Sequence, residues 1–318
     1  MFSGFLALSA VFLHYMHMGL NKGNKESGYT AAILKIVVTM VIFGSIGLIR
    51  RSIPYSSAMI SFFRGAVAAL ILAVLRLIGV FGRTGGAAYR AEVLSNLLPL
   101  AISGAMIGAN WILLFEAYRY TTIAVATISY YMAPVFTVIA SAFILKERLT
   151  VRKVICIVVA VIGMVFVSGV VGEGSIGLKG VLLGLGAALL YSGDVIINKM
   201  VRRVSGIDRT IVQMGAAAVA VLPYWLARED FAALSFSLRP MLLLLATAVV
   251  CTALTYSLYF TAIQSVPAQT AAILSYIDPV VAVLISALML HEGMDALTLV
   301  GVVLVIGAAV GSETGRGE

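Results

Sequence analysis

Apolar residues in this chain fall in runs too long for the interior of a soluble fold, separated by short polar links. After an apolar leader, ten runs lie near 32–49, 57–75, 94–115, 122–144, 152–170, 177–197, 209–227, 241–261, 268–289 and 295–311. About 20 residues, each adding about 1.5 Å of helix, cross an oily layer of roughly 30 Å. Hydrocarbon offers the backbone no hydrogen-bond partner, so each run must satisfy itself as a helix. Barrel strands would instead alternate in polarity over about ten residues, a pattern this sequence lacks. The pattern predicts an all-α membrane protein of ten transmembrane helices.

Composition strengthens that reading: apolar residues make up 61% and charged residues 11%, with a mean hydropathy of +1.07. A soluble surface usually draws on about 25% charged residues. The net charge of +8 does not point to nucleic acid, because the Lys and Arg sit in the links, where they set topology. Counted over alternate links they divide fourteen to six. The richer side is expected to be cytoplasmic, with the start of the first repeat and the C-terminus on it, in a bacterial-type inner membrane. The expected organisation is a leader over 1–31, a five-helix repeat over 32–170, a second over 177–311 and a tail over 312–318. Residues 1–20 lack the basic start and cleavage site of a signal peptide. They are expected not to span, with an extra N-terminal span as the alternative.

A repeat is visible at an offset of 145 residues, where TISYYMAPVFTVIASAFILKERL (127–149) falls on AILSYIDPVVAVLISALMLHEGM (272–294). Without a gap it pairs Tyr131 with Tyr276, Pro134 with Pro279, Ser141 with Ser286, Leu145 with Leu290 and Glu147 with Glu292. Phe115 with Phe260 and Ala117 with Ala262 follow at the same offset. Five spans separate the copies, so the halves are predicted to run oppositely across the bilayer. Inverted repeats of this kind are common in secondary transporters.

Candidate functional residues cluster on the repeated helices. Pro134 and Pro279 each remove an amide donor inside a span and loosen the carbonyls of Tyr130 and Ser275; they serve either packing or a bent helix at a binding site. Thr127, Tyr131, Pro134, Val138 and Ser141 share one face, as do Tyr276, Pro279, Val283 and Ser286, and both faces are expected to line a cleft. Tyrosine there suits an amphipathic solute. Ionisable residues inside spans are costly and read as functional, which singles out Arg64, Glu116, Asp194 and Asp278 for charge binding or coupling. An Arg64–acid ion pair is the structural alternative, and Glu116 could snorkel to the interface beside Arg119. Asn110, Trp111 and Tyr256 complete the substrate-binding set, with helix–helix hydrogen bonding as their alternative role. Gly104–Gly108 and Gly180–Gly184 have the spacing of close helix contacts.

Other chemistry finds no support in the sequence. Cys156 and Cys251 have no ligand spacing, His14, His17 and His291 form no cluster, and no nucleotide-binding or hydrolytic motif occurs. No cofactor, metal, nucleic-acid partner or enzymatic activity is expected; the oligomeric state is left open.

The stretches ISYYMAPVFTVIASAFILKERLT with VIGMVFVSG, and LSYIDPVVAVLISALMLHEG with GVVLVIGAAV, resemble the drug/metabolite transporter superfamily and its EamA-type carriers. Each half ends in the family's order of Pro helix, Glu-bearing turn and Gly-rich helix: Pro134, Glu147 and Gly163, then Pro279, Glu292 and Gly307. Arg64 matches an Arg common in the second helix. The resemblance covers about 32–311 and implies ten helices in inverted halves around a central cavity that opens to either side, with small organic metabolites as cargo. The expected function is therefore a secondary transporter, an exporter of an amphipathic metabolite such as an amino acid, with protons as a coupling partner and lipid as surroundings. A membrane-embedded enzyme on a lipid-linked substrate and a non-transporting subunit are the alternatives.

Overall fold

The computed structural model describes residues 25–50, 52–81, 86–121, 123–167, 177–232, 234, 236–290 and 296–313. Among them there is no strand. The helices are α1 (Lys25–Arg50), α2 (Ser57–Leu77), α3 (Ala87–Ser95), α4 (Leu97–Tyr120), α5 (Ile123–Tyr130), α6 (Ala133–Ile144), α7 (Val151–Val167), α8 (Leu178–Met200) and α9 (Gly206–Arg228). There follow α10 (Leu238–Ala248), a π-helical turn (Val249–Leu254), α11 (Thr255–Ala262), α12 (Ala268–Leu274), α13 (Ile277–Leu290) and α14 (Ala296–Glu313). With α5–α6, α10–α11 and α12–α13 as the fourth, eighth and ninth crossings, these make ten spans. Eight helical stretches are long and apolar enough to cross a membrane, and Ala296–Ser312 is a shorter apolar helix.

Two boundaries differ from the hydropathy pattern. The first helix begins at Lys25, so residues 25–31 are its opening turns, and leader residues 1–24 lie outside the described residues. The link at 76–93 runs into a short helix, α3, that lies mostly on the surface. Too short and too polar to span, it left no hydropathy signal. In the stretch from Phe231 to Leu238, open between interfacial helix and loop, the described residues before Leu238 are non-helical, and α10 starts at Leu238.

Packing repeats across the halves. The second crossing packs on the seventh and the fifth on the tenth. In the first half the third and fourth crossings lie along the sixth; correspondingly, the eighth and ninth lie along the first. Exchanging the halves maps each contact onto another, as a two-fold axis in the membrane plane requires for an inverted repeat.

Small residues set the closest approaches. A Cβ on Gly108 would stand 2.7 Å from the Ala217 carbonyl oxygen, and one on Gly163 2.9 Å from that of Gly301. Gly184 meets Ser129 in the same way, 2.8 Å from its Cβ. Between lipid-solvated helices such packing replaces the hydrophobic drive that water would supply.

The fourth and ninth crossings break at the prolines. The fourth is interrupted at 131–132 and the ninth at 275–276, each just before its Pro. Pro134 stands in the first turn of α6, where its missing amide costs least. In the ninth crossing the Ser275 carbonyl takes the Asp278 N–H at 3.2 Å.

Candidate functional site

Where these breaks meet the third, sixth and eighth crossings, aromatic and charged side chains converge. From α2, the Arg64 guanidinium sits 5.0 Å above the Trp111 ring of α4. Its Nε donates to Thr252 Oγ1 at 3.0 Å, inside the π-helical turn. That turn is the wider winding often found at functional sites. Its register shows in the hydroxyls: Thr252 donates to the Thr247 carbonyl at 3.2 Å and Thr255 to Val250 at 2.6 Å, each five residues back. Arg64 makes no salt bridge among the described residues. The ion-pair alternative for it therefore finds no partner.

Tyr256 lies near Trp111, Arg64, Asp194 and Asp278, and Phe43 lies against its ring at 5.1 Å. Asp278, half-buried in the first turn of α13, lies near Tyr118, Tyr130 and Tyr131. No described donor hydrogen-bonds its carboxylate. Tyr118 lies beside Thr127. Below them Tyr130 packs edge-on to Tyr191 at 6.1 Å, and the Tyr191 and Tyr259 hydroxyls meet at 3.4 Å.

Asp194 lies beneath that tyrosine pair, 2% exposed. It accepts from Ser103 and, at 2.8 Å, from Asn198 Nδ2. Gln213 Nε2 donates to Asn198 Oδ1 at 2.8 Å. Nearby Arg209 does not pair with it. Arg209 donates instead to the carbonyls of Asn198, Val201 and Val204 at 2.7, 2.5 and 3.0 Å, which caps the end of α8.

The predicted residues thus separate into groups. Arg64, Trp111, Thr127, Tyr131, Tyr256 and Asp278 come together. Asp194 is adjacent but enclosed, and Pro134 and Pro279 are buried at the breaks. Asn110 donates to the Ala187 carbonyl at 2.6 Å, tying α4 to α8. Glu116 is held at the interface by Tyr224 (2.7 Å), Arg119 (3.1 Å) and Arg228 (3.4 Å), away from the cluster. Tyr276, expected on the cleft, is fully buried against Val138, Ile157 and Met164, and its hydroxyl has no hydrogen-bond partner. The Ser286 side chain and residues His291 and Glu292 lie outside the described residues.

Tyr118, Tyr191 and Thr252 belong to the cluster but were not singled out from sequence. Only Tyr191 left a signal, three residues before Asp194 on the same helix face. A separate apolar groove of about 460 Å³ between α6 and α8, lined by Phe136, Ile139, Leu189 and Met200 among others, faces outward. No cluster of His, Cys, Asp or Glu suited to a metal occurs among the described residues.

Split, inverted helices that meet around a cluster of aromatic and charged side chains define a multi-pass membrane protein built like a secondary transporter. Sequence comparison narrows the class: the profile of the EamA-like transporter family matches residues 30–169 and again 178–313, and the chain belongs to that family. It is 26% identical to the uncharacterized transporter YxxF of Bacillus subtilis, over 87% of each chain. To an uncharacterized transporter of Clostridium kluyveri it is 28% identical, over 80% of this chain and 81% of the other. A crystal structure 16% identical superposes with a TM-score of 0.75 over 88% of this chain and 97% of that one, a likeness of fold.

Proposed function

We propose that this protein is a secondary active transporter that exports a small amphipathic metabolite, an amino acid or a similar zwitterion, by alternating access. The observation that carries the reading is Arg64 and Asp278. They are side chains of opposite type on different helices, α2 and α13, and Tyr256 lies near both. Neither has an ion-pair partner among the described residues.

Charges within a membrane are costly unless something compensates them. A solute carboxylate would take the free face of the Arg64 fork, which suits that geometry. Its ammonium would meet Asp278 and the phenol rings around it. Asp278 exchanging a proton for that ammonium would couple flux to the proton gradient, with Asp194 as a second proton site. The fourteen-to-six division of basic residues supports a bacterial-type inner membrane with the C-terminus in the cytoplasm.

Flux of labelled metabolites in reconstituted vesicles, with a proton gradient imposed or collapsed, tests the reading. Saturable flux is expected, falling about tenfold or more in Asp278→Asn and in Arg64→Gln, the loss of one charge-assisted contact. Unchanged flux in Asp278→Asn would overturn its coupling role. No flux with any solute on the panel would overturn transport itself.

A further inference from the structure

The apolar groove between α6 and α8 follows two crossings that run the same way, and it stops part-way through the membrane. On α6 its wall extends from Phe136 to Ile144, and on α8 from Leu189 to Met200. At 1.5 Å per residue those stretches are about 12 and 17 Å long, half of a hydrocarbon layer of roughly 30 Å. Ala140 and Gly193 leave room in the middle of the groove, between the larger side chains at its ends. Its rims face outward: Ile144 is 54% exposed, Leu189 56% and Met200 60%. A groove of this length fits one acyl chain of a single leaflet. The helix of a second copy, crossing the whole bilayer, would need a seat about twice as long.

The end at Ile144 and Met200 opens onto positive charge. The link after α6 carries Lys146 and Arg148, and the link after α8 carries Arg202 and Arg203, all exposed. None of the four side chains has a hydrogen-bond or ion-pair partner among the described residues. The two links are neighbours, since Lys199 lies near both Glu147 and Arg202. Glu147, the one acid in these links, is already engaged: it accepts from the backbone N–H of Ala268 at 2.8 Å and of Gln269 at 3.2 Å. Lys199 is likewise spent on the carbonyls of Ile263 and Val266, at 3.0 and 2.6 Å. Lys146 and Arg203 have φ of 56° and 59°, the two described residues other than glycine with positive φ. Glycine adopts that backbone with least cost. Both positions hold a long cation instead, at the mouth of the same groove.

We propose that the groove and its basic end bind one anionic phospholipid, with an acyl chain between α6 and α8 and the phosphate headgroup held by Lys146, Arg202 and Arg203. Basic pockets between transmembrane helices hold headgroups of this kind. The site is separate from the Arg64–Asp278 cluster and does not rest on the transport reading. The bound chain braces α6, the half of the fourth crossing beyond its break, against α8.

Native mass spectrometry of the full chain in a mild detergent tests it, by counting one-lipid adducts during titration. The probes are phosphatidylglycerol and phosphatidylcholine with identical acyl chains. Phosphatidylglycerol is expected to bind at least about tenfold more tightly. Lys146→Gln, Arg202→Gln and Arg203→Gln should each weaken it about fivefold, the worth of one basic residue beside an anionic lipid, and leave phosphatidylcholine unchanged. Arg239→Gln, an exposed cation at the other side of the membrane, should change neither. Ala140→Trp fills the groove and should weaken both lipids about tenfold; Ala140→Leu is read by the same criterion if the Trp variant does not fold. Equal affinity for the two lipids, a preference that survives all three neutralisations, or unchanged binding in the filled groove would overturn the proposal. So would an Arg239→Gln effect as large as that of Arg203→Gln, or a protein dimer in place of the lipid adduct.

Discussion

The contact between α4 and α9 gives the sharpest quantitative expectation, through Gly108. A methyl there would stand 2.7 Å from the Ala217 carbonyl oxygen, 3.1 Å from Ala220 Cβ and 3.2 Å from Ala217 Cα. Non-bonded heavy atoms prefer about 3.5 Å or more, so the helices must part by roughly half an ångström. Overpacking of that size costs about 1–3 kcal/mol, offset by about 1 kcal/mol of alanine's helix preference. Gly108→Ala should therefore lose up to about 2 kcal/mol, a melting shift of up to roughly 8 °C in a fixed detergent. Gly307→Ala is the control: it changes a helical glycine with nothing within 4 Å, and should hold or raise the melting temperature. Trp111 lies three residues after Gly108, so parting α4 from α9 also disturbs the 5.0 Å stacking on Arg64. Flux per folded molecule should then fall in Gly108→Ala but not in Gly307→Ala. Equal melting shifts in the two variants, or a higher melting temperature for Gly108→Ala, would refute the packing argument.

Three further outcomes follow from the polar contacts. Arg64→Lys keeps the charge but loses the planar stacking and the Thr252 bond, together about 1–3 kcal/mol; solute affinity should weaken about tenfold or more with folded yield unchanged, as a binding titration would show. Asp194→Asn, close in shape, should melt near wild type, whereas Asp194→Leu strands Ser103 and Asn198 and should cost about 2–5 kcal/mol in the same melt. Tyr89 on α3 donates to Asp208 at 2.5 Å and accepts from the Ser205 N–H at 3.1 Å, and burial, then the Asp208 contact, raises its pKa above the usual 10.0. A phenol raised in the folded state contributes stability that is intact below pH 10 and lost as pH climbs through the folded value, so melts above pH 10 should show a decline that Tyr89→Phe lacks.

Much of this architecture was legible in the chain because the bilayer leaves hydropathy few readings. Ten runs became ten crossings, and Pro134 and Pro279 marked the breaks since a missing amide has the same consequence in any context. Arg64 and Asp278 stood out because ionisable groups in spans are rare. What the pattern could not carry was which side chains meet. Tyr118 and Tyr191 join the cluster through contacts between non-consecutive crossings, and neither belongs to the repeated face that drew attention to Tyr131. Glu116 and Asn110 looked equivalent to the cluster residues by type. Yet Glu116 lies a turn too near the helix end and is neutralised by Arg119, Arg228 and Tyr224, while Asn110 points at the backbone of α8.

The fate of Tyr276 shows a deeper limit. Sequence symmetry assigned Tyr131 and Tyr276 the same place on two facing walls, whereas the fold leaves Tyr131 half-buried and Tyr276 fully buried. A repeated sequence thus need not place its twins alike, because residues outside the symmetry give each copy different neighbours. Lys153 and Gln269, whose twins are Thr298 and Ala124, are such residues. Lys153 Nζ donates to Gln269 Oε1 at 2.8 Å, beside the Ala268 N–H that Glu147 accepts, and Thr298 and Ala124 have no groups to form that link.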